Sequence, residues 1–258
     1  MKSATIPAAK VIRTAAPATE TAQALIAHLR SLYSPRDIAG QRRFGITPKT
    51  EHIGARMGVL RQLARGHRRD HALALALWAS GIHEARILAA LVGDPARVGR
   101  DQMSAWCADF DSWDVCDQVC GELFAYAPLA QKMALRWTES SGEFVKRAGF
   151  VMMARMAVRR KDLPDAVFAD WLPVLKREAN DERNFVRKAV NWALRQIGKR
   201  SPGLRRAAIA EAKKILALDT RSARWIARDA LREFTQQARS KSGKIRGHQS
   251  PKNAKAEV

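Results

Sequence analysis

The sequence predicts an all-α fold in which short helices pair and stack into an α-solenoid. Three observations carry this. Ala, Leu, Arg, Met and Glu dominate the middle of the chain, and no alternation of β-branched residues marks a strand. The helical stretches are separated by short breaks with turn chemistry. They also recur in pairs with a period of about 35 to 45 residues.

Helices are expected over 18–33, 48–64, 68–80, 82–92, 96–108, 112–124, 127–138, 141–160, 164–178, 182–199, 203–217 and 220–238. The first closes at Ser34-Pro35. Gly66, Gly81 and Gly93-Asp94-Pro95 separate the next four. Ser140-Ser141-Gly142, Leu163-Pro164 and Ser201-Pro202-Gly203 punctuate the second half. The recurrence shows in Phe144 to Met156, Phe185 to Ile197 and Trp225 to Phe234. Each is an Arg-rich helix that begins with an aromatic and continues as an apolar stripe. Antiparallel helix pairs with this recurrence read as HEAT-like repeats with a concave basic groove for an extended partner. The domain over 17–238 is flanked by a flexible segment, 1–16, and a disordered basic tail, 239–258.

Composition narrows the partner. The 258 residues hold 46 Lys and Arg against 25 Asp and Glu, a net charge of +21. Such an excess selects a polyanion, because cations that neutralise phosphates release counterions. A 47% hydrophobic content excludes general disorder. Cys107, Cys116 and Cys120 make no secreted disulfide framework, and no His stands near to complete a zinc site. No apolar run reaches the ~18 residues of a membrane span, and the N-terminus lacks the apolar core of a signal peptide. The expected location is the cytoplasm, with no membrane partner.

Gly81-Ile82-His83-Glu84 imitates the start of a zinc-protease motif, but the second His would fall on Ile87. His83 and Glu84 instead open a helix, where Glu suits the dipole. Neither a phosphate-binding glycine loop nor a Gly-x-Ser-x-Gly elbow occurs.

Three features are misplaced for a core. In helix 182–199, Val186, Ala189, Val190, Ala193 and Ile197 form the apolar face. Trp192 lies opposite, with Lys188, Arg195 and Lys199, as an aromatic on a nucleic-acid surface would. In helix 141–160, Arg147 shares a stripe with Val151, Ala154 and Val158, which is costly for a cation without a partner. The acidic run at 109–117 contains Trp113 and Asp117, four apart on one helix face. Ser112 or Asp111 is an N-cap and Asp114 suits the first turn, but Asp117 lies beyond it. An acid facing DNA repels phosphates, so Asp117 needs catalysis or a buried pair with Arg147 to explain it.

The strings Phe110-Asp111-Ser112-Trp113-Asp114-Val115-Cys116-Asp117, Phe144-Val145-Lys146-Arg147-Ala148, Asn184-Phe185-Val186-Arg187-Lys188-Ala189-Val190-Asn191-Trp192 and Phe44-Gly45-Ile46-Thr47-Pro48 stand in a fixed order. Together they resemble the bacterial DNA alkylation repair family of HEAT-like repeat glycosylases, the AlkD type. The likeness runs over most of residues 20–236. It departs at Arg36, where some members carry an aromatic, and at Thr47, where some carry an amide.

The resemblance implies a glycosylase that hydrolyses the N-glycosidic bond of cationic N3- or N7-alkylated purines in duplex DNA. It implies that the base is not flipped deeply into a pocket, and a bacterial protein, at the nucleoid when bound to DNA, that works as a monomer with no metal, cofactor or obligate protein partner. Asp117, Trp113, Trp192 and Arg147 are the implied catalytic set. Lys146, Arg187, Lys188, Arg195 and Lys199 are the expected DNA contacts. The alternative is a DNA- or RNA-binding scaffold without chemistry.

Overall fold

In the computed structural model, residues 15–246 are described, and all their regular structure is helical. They fold as two compact units that meet in sequence between Arg97 and Val98.

The first unit holds α1 (Ala15–Ser31), α2 (Pro35–Arg42), α3 (Met57–Ala64), α4 (His71–Ala79) and α5 (His83–Val92). α4 and α5 pack together, with α1 against α4 and α3 against α5. Leu29, Ile53, Leu60, Leu73, Leu77 and Leu88 fill the core. α2 was expected as loop. Ser34-Pro35, read as a stop, is a start: the Ser34 hydroxyl accepts from Asp37 N and Pro35 takes the first helical turn.

Residues 48–56, expected as helix, are not helical. Their amides and carbonyls are used elsewhere. Ser34 N donates to Ile53 O, His83 N donates to Glu51 O, and the buried Glu84 carboxylate accepts from Ile53 N and Gly54 N. Gly54 has φ +90°, and a Cβ there would lie 2.9 Å from Ser34 O. Glu84 thus sits in the first turn of α5, but its carboxylate serves this segment.

The second unit holds α6 (Arg100–Ala108), α7 (Trp113–Glu122), α8 (Ala130–Trp137), α9 (Glu143–Arg159), α10 (Asp165–Arg177), α11 (Asn184–Arg200), α12 (Pro202–Leu216) and α13 (Arg221–Arg246). A short helix precedes a longer one three times, as α8–α9, α10–α11 and α12–α13. The long helices form one layer, α9 on α11 on α13, and α10 packs on α12 behind it. This is HEAT-like stacking.

α9 is the axis of the unit and packs against α6, α7, α8 and α11. It is apolar almost all round, from Ala148 through Ala157, as a helix surrounded by protein must be. Gly149 allows the closest approach, since a Cβ there would come within 2.7 Å of Ala134 O on α8.

α13 continues to Arg246, so residues 239–246, expected as tail, are helical. Residues 1–14 and 247–258, which carry the rest of the expected flexible segments, lie outside the described residues. No helix among the described residues is long and apolar enough to cross a membrane.

Candidate active site

α7 starts in the middle of the acidic run, which continues into it as Asp114 and Asp117. Ser112 is its N-cap in extended backbone, and Trp113 and Asp114 open the first turn. Ser112 Oγ donates to Asp114 Oδ1, so the predicted cap holds a side chain instead of a backbone amide. One turn past Trp113, Asp117 faces α9 and is only 8% exposed.

Arg147 meets it there, 6% exposed. Nε donates to Asp117 Oδ1 at 2.9 Å and Nη2 to Oδ2 at 2.8 Å, a bidentate pair. The third arm, Nη1, donates to the Phe185 carbonyl at 2.8 Å in the first turn of α11. One guanidinium thus ties α7, α9 and α11 together. Its carbon lies 5.9 Å from the centroids of both Trp113 and Phe185, within cation–π range.

Burial pushes the Asp117 carboxyl above its ordinary value, against the pull of Arg147 and Arg155. Both carboxylate oxygens nevertheless accept N–H bonds from a permanently charged group, an arrangement that suits the ionised form. Each oxygen keeps a further lone-pair direction for a water or a cationic sugar.

Trp192 joins through a residue that the sequence reading missed. Arg155 lies two turns after Arg147 on α9, and its guanidinium carbon is 5.2 Å from the Trp192 centroid. Its buried Nε has no acceptor among the described residues. Arg155 crosses α7 at Gly121, where a Cβ would stand 2.4 Å from its Nε. Gly121 is one turn after Asp117, so α7 has room for this second guanidinium beside the carboxylate. The signal was present as helical spacing, Asp117 with Gly121 and Arg147 with Arg155, but it points nowhere until α7 and α9 are known to be neighbours.

Trp192 is half-buried rather than open, and its indole N–H meets the Gln196 amide oxygen at 3.0 Å in the orientation that satisfies both groups. The cation over its ring comes from α9. Of the cations expected beside it on α11, Arg195 pairs with Asp229 and Glu233, and Lys199 pairs with Glu233 at 2.7 Å.

Lys146 is similarly enclosed, 2.6 Å from Glu178 and 3.2 Å from Asp181. Asp181 also binds Arg183. Burial alone would raise the Asp181 carboxyl, but Arg183 and Lys146 outweigh it and hold it at about 2. These three expected DNA contacts have their charge matched inside the protein. Lys188 is exposed, and Arg187 lies 5.3 Å from the Trp225 centroid. Cys116 and Cys120 are buried in α7, and burial pushes both thiols up, which leaves them neutral. Among the described residues no cluster of His, Cys, Asp and Glu could hold a metal ion.

The model of the DNA alkylation repair enzyme family matches residues 25–234. The chain is also similar to a solved structure from a new family of proteins related to the HEAT-like repeat DNA glycosylases with affinity for branched DNA structures. That match has a TM-score of 0.66 and 21% identity, over 74% of this chain and 81% of the other. No curated protein matches the chain.

Proposed function

This chain belongs to the DNA alkylation repair enzyme family, and from that premise we propose that it excises cationic N3- or N7-alkylated purines from duplex DNA. The observation that carries the reading is the Asp117–Arg147 pair between Trp113 and Phe185. A carboxylate in a protein of charge +21 weakens DNA binding unless it acts on something positive.

The lesion supplies that charge. Alkylation at N3 or N7 makes the purine cationic, so it leaves as a neutral base and needs no general acid. Departure puts positive charge on the deoxyribose as an oxocarbenium ion. In this reading Asp117 stabilises that ion and orients the attacking water with the lone pairs that Arg147 does not use. The water oxygen bonds to C1′, and the proton it sheds leaves to solvent. Arg147 holds the carboxylate, keeping it ionised and aimed. Trp113 and Trp192 offer ring faces to the cationic nucleoside, each contributing about 1–2 kcal/mol when desolvated. Arg155 positions Trp192. Arg187 and Lys188 take phosphates.

A second reading is a scaffold that binds DNA or RNA without chemistry. It is favoured by the fact that Arg147 alone gives both Asp117 oxygens a partner, which a purely structural pair would also do. Incubation with duplex DNA carrying one N7-methylguanine separates the two. Abasic sites accumulate under the first reading. Binding without base release leaves only the second.

A further inference from the structure

The final helix carries a second aromatic and cationic surface, which shares only Arg187 with the contacts proposed for excision. The core stripe of α13 is Ala223, Ile226, Ala227, Ala230 and Phe234, at spacings of three and four. Trp225 lies on the opposite face and is 38% exposed, the only one of the seven tryptophans in the exposed class. It lines a cleft of about 310 Å³ together with Arg221, Arg224, Arg228, Asp229 and Arg232.

The charges in that cleft are unevenly matched. Arg224 pairs with Asp219 at 2.8 Å, and Arg232 with Asp229 at 2.5 Å. Asp229 is shared further with Arg195. Arg221 and Arg228 form no ion pair among the described residues. Arg187 reaches across from α11 and stacks on the Trp225 ring. The ring is therefore backed by one guanidinium and flanked by two more whose charge is not matched by an acid.

We propose that this cleft binds an unpaired stretch of DNA strand, with a base stacked on Trp225 and phosphates on Arg221 and Arg228. A large aromatic on the wet face of a helix loses hydrophobic stabilisation, whereas a base has a π-face for it whatever its sequence. Guanidinium forks match phosphate oxygens in pairs. The arginine row from 221 to 232 is about 16 Å long at 1.5 Å per residue, long enough to meet more than one phosphate of a strand. The cleft volume is at the lower end of ligand pockets, about 300–1,000 Å³, and has room for one base. A duplex keeps its bases stacked on each other and has none to offer the ring.

The test uses the full chain and undamaged DNA, so its result stands whether or not the excision reading holds. Anisotropy of a labelled oligothymidylate and of a blunt duplex of equal length is measured for the native protein, Trp225→Ala, Trp225→Phe and Arg221→Ser with Arg228→Ser. Trp225→Ala should weaken single-strand binding about 5- to 150-fold and leave the duplex within about twofold. Trp225→Phe should recover most of the loss. The double arginine variant should make the slope of log K against log salt shallower by about 1.4 on the single strand. Equal losses on both DNAs after Trp225→Ala, or no loss on either, would overturn the proposal. So would an unchanged salt slope in the double arginine variant.

Discussion

Gly121→Ala tests the placement of Arg155 through a change of sign. The new Cβ would stand 2.4 Å from Arg155 Nε and 2.8 Å from its Cζ, so the guanidinium must move. Moving it removes the contact with Trp192, about 0.5–1 kcal/mol at a partly exposed site, and adds crowding of about 1–3 kcal/mol. Against this, alanine inside a helix is more stable than glycine by about 1 kcal/mol. The net expectation is destabilisation of about 0.5–3 kcal/mol, a fall of about 2–4 °C in Tm for each kcal/mol at this chain length. In an Arg155→Ala background there is nothing to crowd, and the same substitution should stabilise by about 0.5–1 kcal/mol. Thermal and urea unfolding of the four proteins should give a coupling of about 1–4 kcal/mol, the size that residues in contact reach. If Gly121→Ala stabilises both backgrounds equally, Arg155 does not cross α7 there, and its link to Trp192 and Asp117 fails.

Three more outcomes follow from the same geometry. Arg147→Met leaves the Asp117 carboxylate buried without its counter-charge and should cost about 3–5 kcal/mol in urea unfolding, most of it recovered by adding Asp117→Leu; a cost below about 1 kcal/mol would mean the pair is solvated. Trp192→Ala should lower stability by about 1–3 kcal/mol, between the cost at an exposed site and that at a core site, and weaken engagement of damaged DNA by a similar amount; a full core-sized loss with undiminished excision would remove the ring from the site. Asp181 is held at about 2, below the ordinary 3.8, so its stabilisation is present above pH 3.8 and lost as pH falls through about 2. Urea titrations from pH 5 to 2 should show Asp181→Asn flattening that loss by about 1 kcal/mol, discounted for partial solvation; an unchanged profile would contradict the Lys146–Asp181–Arg183 cluster.

The helical class and the pair recurrence are legible because they rest on local periodicity, and the same periodicity singles out the residues of the candidate site. Asp117, Arg147 and Trp192 each break a rule that a single helix obeys, and the breach is visible without a structure. What stayed hidden depends on contacts between residues far apart in the chain. That Lys146, Arg195 and Lys199 pair with acids depends on Glu178 and Asp181 in the segment after α10 and on Asp229 and Glu233 in α13. Residues 48–56 have helix-compatible composition, but Glu84, some thirty positions later, takes the amides of Ile53 and Gly54. α2 was lost for a local reason: Ser-Pro ends one helix and begins the next, and only the ending was read. Arg155 needs two helices at once, since neither Gly121 nor Arg155 is unusual by itself.

The central claim is that a carboxylate held by Arg147 stabilises positive charge on the sugar. Single-turnover release of N7-methylguanine from a short duplex, compared between the native protein and Asp117→Asn, tests it most directly. The comparison is made at a temperature where circular dichroism shows both to be folded. The account predicts a fall of about 10²–10³ in the release rate, with duplex affinity equal or higher because a negative charge has left the surface that meets DNA. Undiminished release by folded Asp117→Asn would contradict it.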